Sequence, residues 1–304
     1  MIEGMTRKIQ VHQVDAFTRV PFTGNPTGVV LNADSLTEPQ MLAIARELNN
    51  AETAFILSAD GADHSVRARF FTPRLEAGFV GHATVAAQYV LSRRHDAPRK
   101  QRQKSKAGIV DIEVRGSDEE RRIAIRQSAP PLGRELNDRE RLAVLDALAL
   151  DSGSLDTRMP LRIAGASATR LLIGVRGAEA LKNLKPDMAR LTTLSAQLGA
   201  AGYFIFTLTA ASTDHLTESR MFCPALGIAE DPVSGNAHGL LGAYLADLGL
   251  LQRSGDQARF VGVQGQSLHR PGRVDVELEF TETRLAAVWI SGQAVSIFET
   301  EIHV

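Results

Sequence analysis

Three side chains in this sequence are of types that exchange protons with a bound molecule: Glu52, His82 and Asp231. Glu52 is the only acid at the start of the apolar segment Thr53–Leu57, and His82 directly follows Gly81. Asp231 comes shortly before a second glycine turn, at residue 235. A positioned acid and base are all that proton-transfer catalysis requires. We therefore take these three residues as candidate catalytic groups.

Each candidate also has a plainer interpretation that the sequence leaves open. Burial raises the pKa of a carboxylic acid toward values useful for catalysis, but Glu52 can equally be a solvated glutamate between a helix and a strand. A helix N-terminus disfavours imidazolium, so His82 is expected to be neutral there; it can equally cap its own helix. Asp231 can bind a substrate ammonium or cap the amides of the following helix.

The segment Ser234-Gly235-Asn236 is a candidate substrate-binding turn. Gly235 lets free backbone amides approach a ligand carboxylate, and the amide of Asn236 adds a neutral donor. Ser234 suggests a weaker alternative, a hydrolase with a serine nucleophile, although no His–Asp relay is evident beside it.

Several other kinds of chemistry lack their usual motifs. The sequence has no Walker A motif, no dinucleotide-binding Gly-x-Gly-x-x-Gly, no Gly-x-Ser-x-Gly elbow and no His spacing typical of a metal site. Cys223 is the only cysteine, so a disulfide within the chain and a mechanism with two thiols are excluded. We predict no metal and no cofactor, and a small-molecule substrate.

A repeated pattern relates the two halves of the chain. Arg69-Phe70-Phe71-Thr72-Pro73 precedes Gly81, and Arg220-Met221-Phe222-Cys223-Pro224 precedes Gly235, an offset of 151 residues between the arginines (220 − 69). The same offset places position 52 on Tyr203, so the glutamate has no counterpart. The repeat predicts two similar halves that send two helix N-termini toward a shared crevice, a suitable place for a small anion.

The elements that must position these residues are short strands and two unusual helices. Residues 82–91 and 236–245 are small or apolar on nearly every face, which is typical of helices enclosed by other elements. The fold is predicted as α+β, each half a curved, mostly antiparallel sheet around one central helix. The predicted domains are 1–128, joined by a C-terminal strand 293–304, and 129–292, with Gln127–Gly133 as linker.

Composition gives no sign of a nucleic-acid or membrane partner. Of 304 residues 23% are charged and 44% hydrophobic, the formal net charge is −1, and no apolar run could span a membrane. The first residues lack the apolar core of a signal peptide, so we expect a cytoplasmic protein. The basic stretch Arg93–Lys104 has no aromatic residues and is predicted to be a solvated connection after the central helix.

Six linked motifs resemble the PhzF phenazine-biosynthesis-like family over essentially the whole chain, and most closely its YddE-type members. They are Val14-Asp15-Ala16-Phe17, Phe22-Thr23-Gly24-Asn25-Pro26, Glu52-Thr53-Ala54-Phe55, Phe70-Phe71-Thr72-Pro73, Gly81-His82-Ala83-Thr84 and Glu230-Asp231-Pro232-Val233-Ser234-Gly235-Asn236. The resemblance implies the diaminopimelate epimerase-like fold of two pseudo-symmetric halves, a homodimer, and isomerase chemistry without a cofactor.

The resemblance also implies roles for individual residues. Glu52 would move the proton between carbon atoms, as the matching glutamate does on trans-2,3-dihydro-3-hydroxyanthranilate in PhzF, and His82 and Asp231 would assist. The substrate-binding positions it implies are Asn25, Gly81, Ala83, Ser234, Gly235 and Asn236.

The sequence departs from PhzF and from related racemases at positions that limit the reactions expected of this chain. PhzF has a serine where this chain has Asn236, so the resemblance leaves the substrate open. Val80 and Ser234 stand where related two-thiol racemases have cysteines, so a two-cysteine inversion is unavailable. The main alternative is a metabolite-binding protein on the same scaffold whose catalytic role has lapsed.

Overall fold

The computed structural model describes residues 7–94, 99–166, 168–210 and 212–304. The chain forms two compact units, Met1–Arg126 with Ser291–Val304, and Gln127–Ile290. The predicted linker begins at this boundary but is not an extended loop: strands cover 122–128 and 132–135.

In its described residues the first unit contains two helices, α1 (Glu38–Leu48) and α2 (Gly81–Ser92). Its strands are β1 (Lys8–Ala16), β2 (Asn25–Val30), β3 (Thr53–Ser58), β4 (Val66–Phe71), β5 (Glu76–Ala77), β6 (Lys100–Ser105), β7 (Gly108–Arg115), β8 (Arg122–Ser128) and β19 (Ala294–His303). The C-terminal strand β19 pairs antiparallel with β1, which brings the end of the chain into this unit.

The part of the second unit that the structure describes contains four helices, α3 (Asp138–Leu148), α4 (Ala178–Lys182), α5 (Met188–Leu198) and α6 (Gly235–Asp247). Its strands are β9 (Leu132–Glu135), β10 (Arg162–Ala164), β11 (Arg170–Val175), β12 (Gly202–Leu208), β13 (Thr217–Cys223), β14 (Ile228–Asp231), β15 (Arg253–Ser254), β16 (Gln257–Gln264), β17 (Gly272–Thr281) and β18 (Arg284–Gly292).

The two units share one order of strand pairing. In the first unit β2 and β3 are parallel, β3 and β4 antiparallel, and β4 and β6 parallel. In the second unit β11 and β12, β12 and β13, and β13 and β16 pair in the same three ways. The duplicated pairing shows that the repeat in the sequence is a repeat of architecture.

The strand register corrects one detail of the sequence alignment. Phe71 pairs with Thr53 on β3, and the equivalent Phe222 pairs with Tyr203 on β12. The register therefore places Glu52 opposite Gly202 in the repeat, and not opposite Tyr203, because the offset between β3 and β12 is one residue shorter. Glycine also carries no carboxylate, so the glutamate still has no counterpart.

The central helices α2 and α6 are enclosed, as their composition predicts. Eight of the twelve residues of α2 and ten of the thirteen residues of α6 are buried. A Cβ at Gly239 would lie 3.0 Å from Ile290, and one at Gly242 would lie 3.0 Å from Val276. These glycines let neighbouring strands approach the helix closely, which offsets their cost of about 1 kcal/mol each in helix propensity.

One local prediction is wrong in detail. The basic stretch after α2 is not simply a solvated connection, since Lys100–Ser105 forms β6 and buries Gln103 completely. Residues 95–98 of that stretch lie outside the described residues.

No helix in the described ranges is both long enough and apolar enough to cross a membrane.

Candidate active site

Glu52 lies where the chain enters the parallel strand pair of the first unit. The strand that follows it, β3, runs beside β2 with Gly28 opposite Thr53. The hydroxyl of Thr27 donates a 2.6 Å hydrogen bond to the backbone carbonyl of Glu52. This bond ties Glu52 to β2, so the carboxyl group extends from a fixed backbone position. The Glu52 side chain is only 12% exposed.

The imidazole of His82 faces this carboxyl group. Its Nε2 atom lies 3.4 Å from Oε2 of Glu52, and both atoms are buried. Burial lowers the pKa of His82 from its ordinary 6.5 to about 4, so the ring is neutral at neutral pH. The pair is thus a carboxyl group beside a neutral imidazole and not an ion pair. The neutral state agrees with the prediction, but its cause is burial.

His82 is also the second residue of α2, so the pair lies at a helix N-terminus. The first helical residue is Gly81, Ala83 is the third, and the first intrahelical bond is donated by Thr84 to Val80. No side chain among the described residues caps this end. The first amides of a helix have no intrahelical acceptors and carry a partial positive charge, which favours an anion. Gly81 and Ala83 therefore place donors close to Glu52 and His82.

Asn25 is the first residue of β2 and is fully buried opposite Ala16. The loop that precedes it is held by Asp15, whose carboxylate accepts a 2.8 Å hydrogen bond from the amide of Phe22. Asp15 appeared in the sequence only as part of a motif. Its burial next to a polar turn gives it this structural role, which the strand pattern did not reveal.

In the second unit the turn of residues 231–234 is held by Gln264, which no sequence motif marks. The side-chain amide of Gln264 donates to the carbonyl of Asp231 at 2.6 Å and accepts from the amide of Ser234 at 3.1 Å. Gln264 is only 1% exposed. One buried side chain therefore fixes both ends of the segment 231–234, and Asp231 ends β14 at the edge of this turn.

Ser234 caps α6. Its hydroxyl accepts a 3.3 Å hydrogen bond from the amide of Ala237. The nearby His238 donates from Nδ1 to the backbone carbonyl of Ser234 at 2.8 Å. The described bonds thus give Ser234 a capping role and direct the imidazole to its carbonyl, which does not favour the serine hydrolase alternative.

Gly235 and Asn236 are the first two residues of α6. Gly235 is buried, and the Asn236 side chain donates a long 3.4 Å hydrogen bond to the carbonyl of Ala168. That bond uses one of the two amide protons. The role of this turn in binding a substrate stays a prediction.

The first unit brings together Glu52, His82, Gly81 and Ala83, with Asn25 on β2. The second unit groups Asp231, Ser234, Gly235 and Asn236 in one turn. A crevice shared by the two groups stays a prediction. In the described parts of the chain, no cluster of three or more His, Cys, Asp or Glu side chains is placed to hold a metal ion.

Comparison with known proteins gives consistent matches over nearly the whole chain. The family model described as phenazine biosynthesis-like protein (PhzC-PhzF) matches residues 14–300. The uncharacterized isomerase YddE of Salmonella typhimurium is 39% identical over 295 residues, which is 97% of this chain and 98% of that protein.

Solved structures agree with these sequence matches. The PhzF-family phenazine biosynthesis protein of Bacillus anthracis superposes with a TM-score of 0.88 at 31% identity, covering 98% of this chain and all of that chain. A hydroxyproline epimerase from Agrobacterium vitis superposes with a TM-score of 0.63 at 13% identity, covering 98% and 91%. At that identity the second match shows the fold alone. The predicted α+β, epimerase-like fold is confirmed.

Proposed function

The chain belongs to the phenazine biosynthesis-like PhzC-PhzF family and is an isomerase, and we propose that Glu52 moves a proton between carbon atoms of a small carboxylate substrate. The observation that carries the proposal is the buried 3.4 Å contact between the Glu52 carboxyl group and the neutral ring of His82. A carboxylate shielded from water and adjacent to a neutral proton donor or acceptor suits transfer to and from carbon.

The proposed reaction uses the groups of the first unit in two steps. The Glu52 carboxylate removes a proton from one carbon, and the electron pair moves into the conjugated system of the substrate. The carboxylic acid thus formed returns the proton to another carbon, so the enzyme ends in its starting state. The uncapped amides of Gly81 and Ala83 stabilise negative charge that develops in between.

The hydrogen-bond donors and the charge near the two helix starts indicate the substrate class. The free amides at the start of α2, and the turn of Gly235 and Asn236, are suited to an anionic group such as a carboxylate. Asp231 adds a negative charge suited to an ammonium group. We therefore propose an amino acid or a cyclic acid as substrate, bound between the two halves, with no cofactor.

Turnover in heavy water tests the role of Glu52. The enzyme is incubated with small amino acids and hydroxyanthranilate-like acids, and NMR measures both the isomer formed and any deuterium on carbon. Glu52→Gln keeps the shape and removes the titrating group, so we expect a loss of at least about a thousandfold in rate. Glu47→Gln, an exposed glutamate on α1, is the matched control and should retain activity. Wild-type turnover by Glu52→Gln would refute the assignment.

Separate measurements test the remaining proposals. A metabolite that binds tightly in calorimetry, with neither isomerisation nor deuterium uptake, would favour the lapsed, metabolite-binding alternative. Activity that survives dialysis against a chelator would support the cofactor-free reaction. We keep the homodimer and the cytoplasmic location as proposals, to be tested by light scattering and by cell fractionation.

A further inference from the structure

A cavity of about 460 Å³ lies in the first unit at the C-terminal end of α2. Four arginines line it: Arg93 and Arg94 after the helix, Arg99 before β6, and Arg121 before β8. Three of them belong to the basic stretch Arg93–Lys104, to which no function has yet been assigned. The fold adds Arg121, which is distant in sequence, to the same cavity.

The charges of this cavity are poorly balanced by its own walls. Asp118 is the one acid among the lining residues described, and it pairs with Arg121. Arg99 donates to the carbonyl of Gly116, which carries no net charge, and Arg93 lies 5.8 Å from the ring of Tyr89. Among the lining residues that the structure describes, four arginines thus stand against one acid. Like charges around one cavity repel one another, and a bound anion relieves this repulsion.

One of the four arginines, Arg121, is largely buried. The Arg121 side chain is only 13% exposed, whereas its partner Asp118 is 85% exposed. A guanidinium held away from water keeps its hydrogen-bond donors in a fixed geometry, which suits recognition of phosphate oxygens. The positive field also reaches the buried His12, whose pKa is lowered chiefly by burial and further by Arg93 and Arg94, against the opposing effect of Glu299.

We propose that this cavity binds a small oligophosphate, either free or as the phosphate group of a nucleotide. Its volume is within the range of small-molecule sites. Four arginines against one acid among the described lining residues match an anion with several charges better than a single carboxylate. Among the described lining residues Val114 is the only apolar one, and none of them carries an aromatic ring on which a base could stack. The cavity therefore recognises the phosphates and not the base.

Calorimetric titration with sodium tripolyphosphate tests the site. We expect saturable binding to the wild-type protein that weakens at least tenfold between 50 and 200 mM salt, roughly as expected for release of several counterions. ATP should bind within a few-fold of tripolyphosphate, since the base adds little. Much tighter binding of ATP, or binding of RNA without binding of tripolyphosphate, would overturn the proposal.

Variants locate the binding. Arg94→Gln and Arg121→Gln should each weaken binding about tenfold, as loss of one charged hydrogen bond does, and the double variant about a hundredfold. Arg139→Gln, an exposed arginine on α3, is the control and should bind as the wild type does. Arg94 is itself exposed, so its variant tests the site even if Arg121→Gln fails to fold. Unchanged affinity in Arg94→Gln would overturn the proposal. Glu52→Gln should bind tripolyphosphate normally, which separates this site from the proposed reaction.

Discussion

The imidazole of His238 fills the space that a side chain at Gly262 would occupy. A Cβ built at Gly262 overlaps the ring and lies 2.9 Å from Oγ1 of Thr217. The equivalent position in the first unit is Gln103, because β6 lies beside β4 as β16 lies beside β13. There the Gln103 amide donates to the hydroxyl of Thr84 at 3.2 Å. The first unit thus fills this space with a small helix residue, Thr84, and a long strand residue, Gln103. The second unit fills it with a large helix residue, His238, beside the strand glycine Gly262.

We predict that Gly262→Ala destabilises the protein by about 1–3 kcal/mol, the usual cost of overpacking a closed core. The backbone of β16 cannot move away easily, because β13 and β17 pair with it on both sides. Urea denaturation measures the change. Gly78→Ala is the control, since a Cβ there lies 3.6 Å from Ala107, an ordinary contact, and should cost much less.

Exchanging the pairs tests the equivalence directly. Gly262→Gln alone should be strongly destabilising, whereas His238→Thr with Gly262→Gln copies the pair of the first unit and should recover much of the loss. A double variant no more stable than Gly262→Gln would show that the two places are not interchangeable.

The repeat shows which features the sequence can predict. The Arg-x-Phe pattern and the glycine turns predicted two similar halves, because each marks a strand end that both copies need. The enclosed nature of α2 and α6 was visible from their composition. The contact between His82 and Glu52 joins residues that are thirty positions apart. The sequence indicated it only through the position of each residue beside a turn.

Other features leave no periodic signal. Gln264 and Gln103 are buried glutamines on strands, and nothing in their neighbours distinguishes them from solvated ones. Their burial depends on partners in distant loops or helices, Asp231 and Ser234 for one and Thr84 for the other. The one-residue shift between β3 and β12 is likewise set by strand register, which an ungapped alignment misses.

The buried histidines should make stability depend on pH. Burial lowers the pKa of both His82 and His238 from 6.5 to about 4. Between these values the unfolded chain binds protons that the folded chain does not, so stability is complete above about pH 6.5 and falls as the pH drops toward 4. The loss is on the order of 3 kcal/mol for each histidine across this window.

Urea denaturation at pH 7 and pH 5 measures this slope. His238→Gln removes one titrating group, so its stability should fall less over the same interval than that of the wild type. His303→Gln, at an exposed position on β19, should leave the slope unchanged. Equal slopes in all three proteins would mean that His238 does not titrate as its burial requires.

Gln264 should act as a positioning residue for the turn 231–234. Gln264→Glu keeps the acceptor for the Ser234 amide but replaces the donor to the Asp231 carbonyl with a repelling oxygen. We expect faster hydrogen exchange in the peptide 228–238 and a loss of stability of about 1–3 kcal/mol, the cost of a buried unsatisfied group. Mass-spectrometric exchange measures the first and urea denaturation the second. Gln257→Glu, exposed on the same strand, should change neither.

The ion pair of Arg220 and Glu230 gives the last prediction. The guanidinium donates two 2.9 Å hydrogen bonds to the carboxylate, and the side chains are 13% and 12% exposed. The first unit has an equivalent contact, between Arg69 and Glu76. In both units the arginine lies 5.0 Å from the centre of a phenylalanine ring. This role explains Glu230, which the sequence showed only as part of a motif.

Arg220→Met should destabilise the protein by about 3–5 kcal/mol, because it leaves the Glu230 carboxylate buried without its counter-charge. Adding Glu230→Leu removes that charge, so the double variant should be more stable than Arg220→Met alone. Arg220→Lys keeps the charge but loses the two-pronged geometry, and an intermediate loss is expected. Additive effects of the two substitutions in urea denaturation would show that the pair is not coupled, because removing a shared interaction must give a double variant that loses less than the sum.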